Sequence, residues 1–213
     1  MAGVKVLVAC EFSGRVRDAF RVLGHDAVSC DLLPSETPGP HIQDDVLKHL
    51  DDGWDMMIAH PPCTYLANSG VCHLYNKDGS FNQNRWKKMK EAAQFFKKLW
   101  LCTSIPRICM ENPVMHKWGK SEAGILYCYD TDEFNQVIQP WMFGHPEQKA
   151  TCLWLQNLPK LTPSNNVKKE MLKLPRSERQ RIHWMGPSED RQKNRSRTYL
   201  GIAAAMAAQW GAL

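Results

Sequence analysis

The 213-residue sequence predicts one α/β domain built on a mostly parallel sheet with helices on both faces. Three observations carry this expectation. A strand, a glycine-containing turn, a helix and a second strand follow one another within residues 5–31, the order that opens a nucleotide-binding sheet. Two later apolar runs, at Met56–Ala59 and Arg107–Met110, are each closed by prolines shortly after they end. Between those runs lies a long helical stretch, Arg85–Cys102, with one apolar face.

Taken in order, Lys5–Ala9 reads as the first strand and is too short an apolar stretch for an export signal. It runs through Cys10-Glu11-Phe12-Ser13-Gly14-Arg15 into a helix from about Val16 to Leu23, with Gly24 as its terminator. The strand Ala27–Cys30 then delivers Asp31, close to the spacing at which such sheets place an acid for ribose hydroxyls. The turn holds one glycine where the full dinucleotide fingerprint has three. Pro34–Pro40 is a loop, and His41–Leu47 a short element in which Asp45 can cap the following turn.

The next strand ends in His60-Pro61-Pro62-Cys63. Two prolines cannot extend a ladder and hold φ near about −65°, so Cys63 must leave the carboxyl edge of the sheet on a stiff turn. Ligands of open α/β sheets bind at that edge, so the thiol is placed as a nucleophile; the plain alternative is a small buried hydrophobe. Residues 66–84 are polar and aperiodic, a surface loop. Along the helix, Trp86, Met89, Ala93, Phe96 and Trp100 recur at three- and four-residue steps and belong to the core. Arg107–Met110 brings Glu111-Asn112-Pro113 to the same edge. Phe134–Gln139 and Ala150–Leu155 read as paired strands, and Gly201–Trp210 as a closing helix.

No apolar run is long enough to cross a bilayer. The eight cysteines form no Cys-x-x-Cys pair, which predicts free thiols in a reducing cytoplasm and neither structural zinc nor another metal. Between Lys160 and Arg197 eleven Lys or Arg face four acids, a local charge of +7 in a chain of net +5. That asymmetry points to a polyanionic partner, nucleic acid first, or else to a solvated basic loop.

The run Asp55–Cys63, the Glu-Asn-Pro of residues 111–113, the opening Val6–Gly14 with Asp31, and Phe143-Gly144-His145-Pro146-Glu147-Gln148-Lys149-Ala150-Thr151 resemble, in order, the motifs of the cytosine-C5 DNA methyltransferases. The departures are Arg15 and Val16 after Gly14, His60 in place of a small residue, and Lys149 and Thr151 at two arginine positions. The 156–200 segment is a short basic insert where the family carries a large target-recognition region.

The resemblance implies a Rossmann-like S-adenosylmethionine-dependent methyltransferase fold. It implies S-adenosylmethionine held by Phe12, Ser13, Gly14, Asp31, Asp45 and Pro61. Catalysis would fall to Cys63, Glu111 and Lys149, and substrate contacts to Pro62, Asn112, Arg85, Arg195 and Arg197. Cytosine C5 is a poor nucleophile until a thiolate adds at C6, so Cys63 is expected to have a lowered pKa. The expected partner is DNA, with a free cytosine nucleotide such as dCMP or a catalytically silent nucleic-acid-binding role as alternatives. A cytoplasmic, bacterial or bacteriophage-type monomer or weak dimer, without membrane contact, completes the expectation.

Overall fold

The computed structural model describes residues 3–125, 135–188 and 190–213. In chain order the elements are β1 (Lys5–Ala9), α1 (Arg15–Val22), β2 (Asp26–Asp31), β3 (His41–Gln43), β4 (Met56–Ala59), α2 (Gln83–Trp100), β5 (Arg107–Pro113), α3 (Lys117–Ala123), β6 (Asn135–Ile138) and β7 (Thr151–Gln156). Four short helices follow, α4 (Lys168–Lys173), α5 (Arg176–Arg179), α6 (Arg181–Trp184) and α7 (Arg191–Ser196), before the closing α8 (Leu200–Trp210).

The sheet runs β3-β2-β1-β4-β5-β7-β6. Its first five strands are parallel, and β7 is antiparallel to both β5 and β6. Every residue of β4 is buried, as a central parallel strand covered on both faces requires. On one face Val16 and Phe20 of α1 pack with Ile202, Ala203, Met206 and Trp210 of α8. On the other, Met89, Ala93, Phe96 and Leu99 of α2 meet Trp154 of β7, the Phe96 and Trp154 rings 5.5 Å apart edge to face. The α/β class and the layer order are those expected.

Three local expectations change. The polar 66–84 stretch contains a 3₁₀ turn at Asn68–Leu74, because Leu66 and Leu74 are buried beneath it. The stretch after β5 forms α3, capped by His116 Nδ1, which accepts from the Gly119 N–H at 2.9 Å. The basic segment folds into α4–α7, anchored by buried Met171 and Ile182. Phe134, expected in a strand, lies outside the described residues, and β6 starts at Asn135.

The proline loop is held by a buried charge. Arg17 is wholly inaccessible, and its guanidinium donates to Ser29 and Ser35 hydroxyls, to the Thr37 hydroxyl (2.7 Å), to the Pro38 carbonyl (3.1 Å) and to Asp18 (2.7 Å). Gly14 and Gly39, both at positive φ, leave room for it: a Cβ on Gly14 would lie 2.5 Å from Nη2 and one on Gly39 2.8 Å from Cζ. Arg17→Met is expected to cost of the order of 3 kcal/mol in urea unfolding, since it removes charge-assisted bonds and strands their acceptors. A loss below about 1 kcal/mol in that measurement would contradict the anchoring role.

Candidate active site

The strand order reverses at β1 and β4, and their carboxyl ends share one edge with those of β2, β3 and β5. That edge gathers Glu11–Gly14, Asp31, Asp45, His60–Cys63 and Glu111. Because β7 runs against β5, with Thr151 opposite Pro113, its amino end reaches the same edge and brings Lys149 with it.

On the β1–β3 side the edge is acidic. Glu11, unmarked in the sequence reading, is 4% exposed and caps α1: Oε1 accepts from the Val16 N–H (2.8 Å) and the Ser13 hydroxyl (3.1 Å), and Oε2 from the Arg17 N–H (3.2 Å). An acid shortly before a helix start was the available signal. The N-terminus where dinucleotide sheets bind a pyrophosphate is thus filled by an internal carboxylate. Gly14 takes φ 71° at the cap, Ser13 is buried, and the Phe12 carbonyl accepts from the Glu36 N–H at 2.8 Å.

Asp31 accepts from the Leu33 N–H (2.9 Å); burial raises its pKa, against the opposing pull of that bond and of His41 and His60. Asp45 caps the turn after β3 as expected, accepting from the Leu47 N–H at 3.0 Å. Cys10 lies within electrostatic reach of both acids, in the left-handed region (φ 57°), and burial first, then Asp31, Cys30 and Asp45, push its thiol well up.

The loop that carries Cys63 is clamped carbonyl by carbonyl. Asn112, fully buried, donates to Pro61 O (3.2 Å). Arg85 donates to Thr64 O (2.8 Å) while its guanidinium lies 4.3 Å from the Tyr65 ring centre. With its Nδ1 accepting at the α3 cap, His116 donates from Nε2 to Tyr65 O (3.0 Å). The Cys63 carbonyl accepts from Leu66 and Ala67 N–H groups at 3.0 and 2.9 Å. Pro61 is buried and Pro62 exposed.

Cys63 is half-buried. Burial and then the Glu111 carboxylate push its pKa up, outweighing Lys149, its own backbone N–H and Arg195, which pull it down. The expected lowered pKa is therefore not a property of the protein alone, although the two cations that favour thiolate are in place. Glu111, 15% exposed, sits 3.2 Å from His60 Nδ1. Burial raises its pKa, but the His60 bond, the charges of His60 and Lys149, and the Thr151 hydroxyl together hold the carboxyl below its ordinary value.

Lys149 Nζ donates to Arg195 O at 2.8 Å, tying the β7 approach to α7. Arg197, grouped with substrate contacts in the sequence reading, is committed elsewhere: its guanidinium forms a two-pronged ion pair with Glu36 (2.6 and 2.9 Å) and a bond to Asn194. No cluster of His, Cys, Asp or Glu suited to a metal occurs among the described residues, and no described helix is long and apolar enough to cross a membrane.

The strand order, parallel but for the reversed β7, is that of a Rossmann-like α/β sheet. No family model and no curated protein matches the chain. Among solved structures it is similar to Entamoeba histolytica methyltransferase EhMeth (TM-score 0.47, 15% identity, 78% of this chain and 58% of that one). It is also similar to a prophage-encoded candidate DNA modification methyltransferase of E. coli (0.45, 13%, 82% and 56%) and to Spodoptera frugiperda DNMT2 (0.41, 14%, 78% and 54%). The chain thus spans little more than half the length of these proteins. At such identities its function has to be argued from its own geometry.

The electrostatics around Cys63 make a direct prediction. Glu111→Gln removes a raising charge, so the pH profile of Cys63 alkylation by iodoacetamide, followed by peptide mass spectrometry, is expected to move to lower pH. Lys149→Gln is expected to move it to higher pH. Shifts of the opposite sign would refute the arrangement.

Proposed function

We propose that this protein transfers a methyl group from S-adenosylmethionine to C5 of cytosine in DNA, with Cys63 as nucleophile. The observation that carries the reading is one thiol on a clamped loop beside a carboxylate it can share with a base, with two cations near it.

The acidic side of the edge fits the cofactor by charge. With Glu11 filling the α1 terminus and Asp31 and Asp45 close to Cys10, that side suits a ligand that is cationic and lacks phosphates. Asp31 and Asp45 would take its hydroxyl and amino groups, and the turn Phe12–Gly14 with Pro61 would line it. When bound, the cofactor supplies an electrophilic methyl group.

On the other side Cys63, as thiolate, adds to C6 and makes C5 an enamine-like nucleophile. Glu111 hydrogen-bonds N3 and the 4-amino group of the base, and Lys149 and Arg195 favour the thiolate. A base then removes the C5 proton and Cys63 is expelled. In duplex DNA the cytosine must first leave the stack, at a cost of roughly a few kcal/mol. Exposed Lys173, Arg176, Arg181 and Lys193 on the basic segment would contact phosphates.

A free nucleotide is the second reading, favoured by the small size of that segment, whose helices run only four to six residues. Incubation with labelled donor and either duplex DNA or dCMP separates the two. Label is expected in DNA, to weaken steeply with salt, and to vanish in Cys63→Ser; label in dCMP alone would overturn the DNA assignment. Label in neither, with the donor bound normally, would favour a silent nucleic-acid-binding protein.

A further inference from the structure

His60 stands where the sequence departs from its resemblance, and its surroundings are specific. Its backbone N–H donates to Ala9 O at 2.9 Å, extending the β1–β4 ladder one residue beyond β4, so the side chain starts from a fixed point. The imidazole is 8% exposed. Nδ1 lies 3.2 Å from Glu111 Oε2, while Nε2 is buried with no hydrogen-bond partner among the described residues. Since Glu111 is held in its ionised form, the Nδ1 position must carry the hydrogen and donate it. The charged groups around the pair come from three elements: Glu111 of β5 in contact with the ring, Asp31 at the end of β2 within electrostatic reach of it, and Lys149 ahead of β7, whose charge acts on Glu111.

A carboxylate kept ionised is a poor acid, yet addition of a thiolate at C6 needs one. As the Sγ–C6 bond forms, the C5=C6 pair moves to C4=C5 and the C4=N3 pair moves onto N3, which must take a proton. Histidine is the side chain whose ordinary pKa lies near neutrality.

Building on the methyltransferase reading, we propose that the acid serving N3 is the His60–Glu111 pair, with His60 the positioning residue that holds the transferable proton behind Glu111. The form competent for attack carries one proton more than a neutral imidazole beside a carboxylate. On attack one proton leaves the pair through the carboxyl to N3, and the imidazole is left neutral. When Cys63 is expelled, N3 returns its proton and the pair is restored, so the cycle needs no outside acid.

The test is the pH dependence of the single-turnover rate on cytosine DNA and on dCMP, for wild type and His60→Asn, with donor affinity and circular dichroism as checks of the fold. Asparagine can still donate to Glu111 but cannot hold a proton for transfer. The rate at neutral pH is expected to fall about 10²-fold with KM little changed. One limb of the bell-shaped profile should move about one to two units toward the carboxylate range. The limb that coincides with the alkylation profile of Cys63 should stay. His60→Gln serves the same purpose if the asparagine variant does not fold.

An active wild type whose profile is unmoved by either variant overturns the role of His60 and leaves the methyltransferase reading standing. A wild type that modifies neither substrate, while binding the donor, overturns both.

Discussion

Everything at the sheet edge depends on how the Pro61-Pro62 step is satisfied. Two prolines remove two N–H donors just where β4 ends, so the chain leaves the ladder with carbonyls unpaired. The structure answers with side chains from three other elements. Asn112 on β5, Arg85 on α2 and His116 at the head of α3 take the carbonyls of Pro61, Thr64 and Tyr65. Each of these bonds is modest alone, about 1–3 kcal/mol with a charged donor at the upper end. Their joint effect is geometric: the turn carrying Cys63 is tied at once to the sheet, through β5, and to the packed pair α2 and α3. Arg85, which in isolation reads as a surface helix charge, is thereby part of the loop's frame.

The strands were legible because buried parallel strands are nearly continuous apolar runs, and β1, β2, β4 and β5 are such runs. The long periodicity of α2 and the alanine-rich α8 were legible for similar reasons. What escaped was short or non-local. Only seven residues long, α3 contains Gly119 and is stabilised by a histidine cap that has no helical period to announce it. Glu11 and Arg17 look like ordinary surface charges; Arg17 is buried by a loop more than fifteen residues away that closes over it, and Glu11 by turning back onto the start of α1.

The site shows the same division. Cys63, Glu111 and Asp31 could be located from strand ends, because a strand's carboxyl terminus is set by the strand itself. Lys149 reaches the edge only because β7 is reversed and pairs β5 at Thr151–Pro113, a register that spacing along the chain does not encode. Arg195 and Arg197 are two residues apart in a basic run and look equivalent. The fold separates them: the backbone of Arg195 receives Lys149, whereas the side chain of Arg197 is consumed by Glu36.

The edge is therefore divided by charge, with β4 between. To one side lie Glu11, Asp31 and Asp45; to the other, Lys149 and Arg195 reach toward Cys63 and Glu111. A thiol that is both enclosed and next to a carboxylate stays protonated, and a protonated thiol is slow to be oxidised or alkylated. The same carboxylate that raises the thiol is the group expected to bond to the base. A base that engages Glu111 and draws its charge would weaken the second of the two effects that raise the thiol, burial being the first, while Lys149 and Arg195 remain. On the proposed reading, a substrate's contact with Glu111 would thus itself favour the thiolate, a coupling that needs no moving part beyond a proton.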